Sequence, residues 1–218
     1  MKSTRSAAPR RQRTEDRRPQ IADAALRILA FKGAGHLTAA SLGREVGIAD
    51  STIFRHYRDM DEVVLAAIDR VRMLLDGTYP PKGGSPLGQL RALFLARLAL
   101  IRDYPEVLRL ASSDRLEQVA GPEGARRLRE TIQRSREFIE ACLREAQATG
   151  EIVASLDATV LGWIVRGTLQ VAVASATGPR SPAPRAPEAV WSVLEQLLRG
   201  TSAPDAPPLT SSPRMEAP

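Results

Sequence analysis

The sequence predicts an all-α protein, on three observations. Apolar residues recur at helical spacing along most of the chain, no stretch alternates long enough to argue for a sheet, and Gly and Pro clusters cut the periodic segments into about nine lengths. Of the 218 residues 43% are hydrophobic and 26% charged, enough to bury a core. One cysteine cannot build a disulfide framework, and with two histidines it cannot alone furnish a four-ligand zinc site. No apolar run reaches the roughly 18 residues that cross a bilayer, and no apolar stretch follows the basic N-terminus. The expectation is a cytoplasmic protein with no membrane partner and no cofactor.

The elements follow in order. Lys2, Arg5, Arg10, Arg11, Arg13, Arg17 and Arg18 face only Glu15 and Asp16 within residues 1–20, so most of the +6 formal charge sits at the N-terminus. Residues 1–16 read as a disordered basic arm, either a polyanion contact or a solubilising tail. Apolar residues at 21, 24, 25, 28 and 29 make Ile21 to Lys32 a half-buried helix, stopped by Gly33 and Gly35. Thr38 caps a second helix, with Leu42 and Val46 inward and Gly47 as its stop. A third runs from about Asp50 to Tyr57, and a fourth from near Asp59, a suitable N-terminal carboxylate, to about Asp76. Gly77 to Pro86, with three prolines and three glycines, is a break. Beyond it the pattern predicts helices over Leu87 to Arg102, after Pro105, over Pro122 to Thr149, over Leu156 to Ala176, and over Glu188 to Arg199. Residues 201–218, with five prolines, read as a disordered tail.

Two short helices joined through Gly47 have the spacing of a helix-turn-helix, whose second member enters the major groove of DNA. Gly47 supplies the unusual backbone angles of the turn, and Gly43 removes a side chain where the helices must approach. Plain helical bundles also contain such pairs. The combination is more specific: Ile21-x-x-Ala24-Ala25-Leu26-x-Ile28-Leu29, Lys32-Gly33, Leu37-Thr38, Leu42-Gly43, Gly47-Ile48 and Thr52-Ile53-Phe54-Arg55-His56-Tyr57 follow one another without a gap. This stretch of about 45 residues resembles the N-terminal domain of TetR-type transcriptional repressors.

The resemblance implies a homodimeric, ligand-responsive protein that binds a double-stranded DNA operator. It divides the chain into a helix-turn-helix domain at 17–64 and a ligand-binding and dimerisation domain at 65–200. Its recognition helix would be residues 50–57. Thr38, Ser51, Thr52, Phe54, Arg55 and His56 occupy positions that face phosphates or bases in the family. The Thr38 and Thr52 hydroxyls suit phosphate oxygens, and Arg55 suits a guanine edge or a phosphate. His56 either donates to phosphate or packs between helices. Asp50 either accepts from cytosine N4 or serves as a helix-start carboxylate. Met60 stands where the family usually has lysine, Phe54 where tyrosine is commoner, Ala49 where a capping serine is frequent, and Ala34 where an aromatic is. Residues 17–62 hold seven basic and six acidic side chains, so the reading head is nearly neutral and the arm is expected to add the missing phosphate contacts.

The C-terminal region contains no phosphate-binding glycine loop, metal motif or nucleophile elbow, so no enzymatic activity is expected. Leu93, Phe94, Leu98, Phe138, Trp163, Arg166 and Gln170 are the candidate lining of a site for a small-molecule effector, with Arg97 among their neighbours. Arg166 interrupts an apolar stretch beside Gln170 and would hold an acidic ligand group, or else lie at an exposed rim. Cys142 reads as a small core residue. Val190, Trp191, Leu194, Leu197 and Leu198 form one stripe which, with Gly162 permitting close helix approach, suits a dimer seam or closes the monomer core. Three alternatives stay open: an activator, a constitutive DNA binder with the same head, and a helical-bundle carrier or enzyme without DNA binding.

Overall fold

Residues 17–111, 115–177 and 186–200 are described by the structure, a computed structural model, and carry ten α-helices and one 3-10 turn. The helices are α1 (Arg17–Phe31), α2 (Ala39–Val46), α3 (Asp50–His56), α4 (Met60–Asp76), α5 (Pro86–Asp103), α6 (Pro105–Ala111), α7 (Arg115–Val119), α8 (Gly121–Ala148), α9 (Ala158–Thr177) and α10 (Pro187–Arg199). The all-α expectation holds. The helix the sequence reading missed is α7, five residues long and too short to show a period. The basic arm at 1–16 and the tail at 201–218 lie outside the described residues.

The helix starts follow their caps. Thr38 and Ser41 form a reciprocal capping box at α2, with the Ser41 amide donating to Thr38 Oγ1 at 3.1 Å. Asp59 accepts from the Glu62 amide at 2.8 Å and opens α4, as its position in the sequence predicts. Ser85 accepts from the Gly88 amide at 3.1 Å and sets α5 one residue earlier than its apolar stripe suggests. Helix α1 starts four residues before Ile21, because its first turn is held from outside. The Tyr57 hydroxyl donates to the Arg18 carbonyl at 2.8 Å.

Helix α1 is the hub of the N-terminal part. Ile21, Ala24, Ala25, Leu26, Ile28 and Leu29 are buried, and α1 packs on α2, α3, α4 and also on α6 and α7. Burying such side chains contributes roughly 1.5–3 kcal/mol each for the larger aliphatics. Helix α4 leaves this group unbroken and lies against α8, so no loop separates the N-terminal helices from the rest. The body is built on α5 and α8, which pack on each other and on α9, while α10 closes over α5. One core runs through both parts, from Ile21 and Ile53 through Ile68 and Leu75 to Phe94, Leu143 and Trp191.

Candidate nucleic-acid interface

The turn between α2 and α3 has the geometry the two glycines allow. Gly47 adopts φ 73° and ψ 38°, the left-handed region, and its amide donates to the Gly43 carbonyl. The Ile48 amide donates to the same carbonyl at 2.9 Å. A Cβ added at Gly43 would lie 2.7 Å from the Ile48 carbonyl oxygen and 3.2 Å from the Asp50 amide nitrogen. The start of α3 thus rests directly on the backbone of α2.

Helix α3 is anchored on one face and open on the other. Ile53 and Tyr57 are buried in the core, whereas Asp50, Ser51, Phe54 and Arg55 are exposed and Thr52 and His56 half-buried. Phe54 is 51% exposed, an apolar ring held in water on the outward face. Asp50 accepts from the Ser51 amide at 2.7 Å, so its carboxylate sits at the helix start. Thr38 is exposed at the start of α2, with its hydroxyl engaged in the capping box. All seven predicted DNA-contacting residues therefore lie on α3 or at the N-terminus of the helix beneath it.

A cluster that the sequence reading overlooked fixes the C-terminus of α3. Arg18 donates through Nη1 to the His56 carbonyl at 2.8 Å and through Nη2 to Glu62 Oε1 at 2.7 Å, and its guanidinium sits 4.3 Å from the centre of the Tyr57 ring. The other Glu62 oxygen accepts from the Arg58 amide at 2.7 Å. Arg18 thus belongs to the folded head rather than to the arm with which its charge groups it. The usable signal was Tyr57 at the helix end and Glu62 four residues after Arg58. His56 Nδ1 is buried without a hydrogen-bond partner. Burial first, then Arg18, Arg17 and Arg55, push its imidazole below the ordinary histidine value, so the ring is neutral at pH 7.

The predicted effector residues do not all come together. Leu93 and Phe94 are buried in α5, with Leu98 and Phe138 partly buried beside them. Phe94 meets Trp191 at 5.5 Å between ring centres, and Phe138 meets Tyr79 edge-on at 5.1 Å. Trp163 is 59% exposed and Gln170 is exposed, whereas the core face of α9 is made by Leu161, Val165 and Leu169. Arg166 is half-buried with Arg136 and Glu140 in its electrostatic surroundings. Among the described residues the buried cation of the body is instead Arg97, 4% exposed on α5. Its position was legible, since residues 93, 94, 97 and 101 share one helix face.

The predicted seam also divides. Trp191, Leu194 and Leu198 are buried within the protomer, Val190 is half-buried, and Leu197 is exposed. Gly162 is buried against α8, where a Cβ would meet Glu140 Cγ at 3.4 Å. Large apolar side chains left outward are Val160, Trp163, Ile164 and Val171 on α9, and Val193 and Leu197 on α10. Cys142 is buried, with its thiol pushed up to about 11 by burial and then by Glu145, which fits an inert core residue. An open cleft of about 860 Å³ over α4 and α8 is lined by Arg72, Arg127, Arg129, Arg134 and Arg136. The first four already pair with Asp69, Glu117 or Asp76. No helix is long and apolar enough to cross a membrane among the described residues.

Comparison with known proteins agrees with this geometry. The profile of the family described as bacterial regulatory proteins, tetR family, matches residues 21–67, from the first buried turn of α1 into α4. No curated protein sequence matches the chain. Among solved structures, the ketosteroid transcriptional regulator KstR2 of Mycobacterium tuberculosis is similar at a TM-score of 0.70 and 17% identity, over 84% of this chain and 95% of that one. AibR in complex with isovaleryl coenzyme A and operator DNA gives 0.68 at 14% identity, over 84% and 98%. The fatty acid degradation regulator FadR from Bacillus halodurans gives 0.61 at 16% identity, over 92% and 99%. The chain thus carries, at residues 21–67, the segment that the tetR-family profile describes, and its described helices share the fold of these solved regulators.

Proposed function

We propose that the protein is a cytoplasmic homodimeric repressor that leaves its operator when a small molecule binds in the body. The observation that carries this reading is helix α4. It starts beside the end of the recognition helix, with Glu62 tied to Arg18 and to the Arg58 amide, and runs on into the body, where it packs on α8. A change in the body is thereby passed to the head without an intervening loop. AibR, which has been solved with both a small molecule and operator DNA, supports the combination of the two ligands in one such protein. We assign residues 17–64 to operator reading and residues 65–200 to effector binding and dimerisation. Within the head, Ser51, Thr52, Phe54 and Arg55 form the reading face, and Thr38 and His56 approach the backbone.

The outward apolar rows of α9 and α10 support a homodimer, because isolated monomers rarely leave so many large apolar side chains in water. Two heads one helical turn apart would read a near-palindrome. The reading is tested by fluorescence anisotropy with the DNA upstream of the protein's own gene, with and without candidate effectors. Wild type should bind that DNA, and Arg55→Ala should weaken binding by about 1–3 kcal/mol. Deleting residues 1–16 should flatten the dependence of log K on log salt by roughly 0.9 for each phosphate the arm neutralises. Absence of specific binding by wild type would sink the repressor reading in favour of a carrier.

A further inference from the structure

We propose that the body holds a site for the carboxylate of an amphiphilic small molecule, with Arg97 as its anchor; this deepens the effector reading above and rests on it. Arg97 projects from the middle of α5 and is 4% exposed. Its Nε donates to Thr78 Oγ1 at 2.6 Å and its Nη2 to Ser135 Oγ at 3.1 Å. Its guanidinium lies 5.7 Å from the centre of the Tyr79 ring. These partners are all neutral. Among the described residues no carboxylate comes within ion-pair distance of Arg97: Asp76 acts on it only through space and pairs with Arg134 at 3.5 Å. A guanidinium stays charged at any working pH, and a buried charge without a counter-ion is costly.

The donor arithmetic leaves room for an acid. A guanidinium offers five N–H donors; Thr78 and Ser135 take two on the Nε side of the fork and the Tyr79 hydroxyl is a third partner, which leaves two donors over. A planar carboxylate matches the remaining edge, and a single negative charge neutralises the site without leaving an excess. The same face of α5 supplies Leu93, Phe94 and Ile101, all buried, so the group attached to that carboxylate should be apolar.

The position gives the site its regulatory consequence. Thr78 accepts from Arg97 and donates to the Leu75 carbonyl at 2.5 Å, closing the last turn of α4. Its neighbour Tyr79 meets Ser135 Oγ at 3.2 Å. An acid that draws the guanidinium toward itself competes with Thr78 and Ser135, and so loosens the end of the helix that carries the reading head.

The test uses octanoate, decanoate, 3-phenylpropionate and cholate, each paired with its neutral primary amide, in calorimetric titrations of the full chain. Operator anisotropy is read on the same samples, and circular dichroism checks the variants Arg97→Gln and Arg97→Lys. At least one acid should bind wild type about ten- to a hundred-fold more tightly than its amide, the range expected for hydrogen bonds to a charged group. That preference should vanish in Arg97→Gln, persist in part in Arg97→Lys, and be accompanied by weaker operator binding in wild type. The proposal is overturned if no acid outbinds its amide, if Arg97→Gln keeps the preference, or if the bound acid leaves operator affinity unchanged. The wild-type comparison stands even if a variant fails to fold. Loss of operator binding without any acid would count against the repressor reading alone, since acid binding is read separately.

Discussion

Two residues carry expectations that local geometry decides. At Gly43 the nearest atoms to an added Cβ are backbone, which cannot swing aside as a side chain would. Gly43→Ala should therefore cost about 1–3 kcal/mol in urea unfolding, despite alanine's better helix propensity, and should weaken operator binding by tilting α3. His56 gives a pH dependence. Its folded-state imidazole titrates below its unfolded value, so the unfolded chain takes up the proton first as pH falls below about 6.5. Stability should thus decline as pH falls below about 6.5 in wild type, and less steeply in His56→Gln, by the urea midpoint at each pH. The Gly43 contact was legible because a glycine inside a short helix has few other uses. The shift at His56 was not, since Arg18 and Arg17 reach it only in the folded head.

At the scale of elements, α3 has only seven residues and no side-chain cap at its start, so it cannot stand alone. Ile53 and Tyr57 hold it from beneath, and Arg18 holds its last carbonyl. Arg18→Ala should lower stability by about 1 kcal/mol, because the contacts are half-exposed and the ion pair with Glu62 contributes little. The larger effect should be local, seen as faster amide exchange over residues 54–57 than in wild type. Helix ends with a polar cap were readable from Thr38 and Asp59, whose residue types name their role. Helix α7 and the early start of α1 were not, because each depends on partners distant in sequence. The effector lining shows the same boundary. Periodicity puts Leu93, Phe94 and Arg97 on one face, but it does not say which side of the mostly apolar α9 faces inward, and Trp163 and Gln170 proved to lie on the outer one.

For the whole molecule, the decisive surface is the apolar row on α9 together with Val193 and Leu197 on α10. Trp163→Glu combined with Leu197→Glu touches only exposed positions, so the fold should survive with near-native circular dichroism. On the proposed homodimer, the mass by light scattering should fall from dimer to monomer, and operator affinity should drop about a hundred-fold or more as the two heads lose their linkage. Substituting Trp191 or Leu194 instead should lower stability, since both are spent inside the protomer.

The uninterrupted run of α4 from Met60 to Asp76 has a mechanical result. Its 17 residues make a rod of about 25 Å, so a swing of only about 5° about the Thr78 end displaces the far tip by about 2 Å. In a two-fold assembly both tips travel, and the distance between half-site readers changes by up to twice that amount. The rod acts as a lever with gain: an adjustment too small to disturb packing at its base is a substantial error against the fixed pitch of duplex DNA.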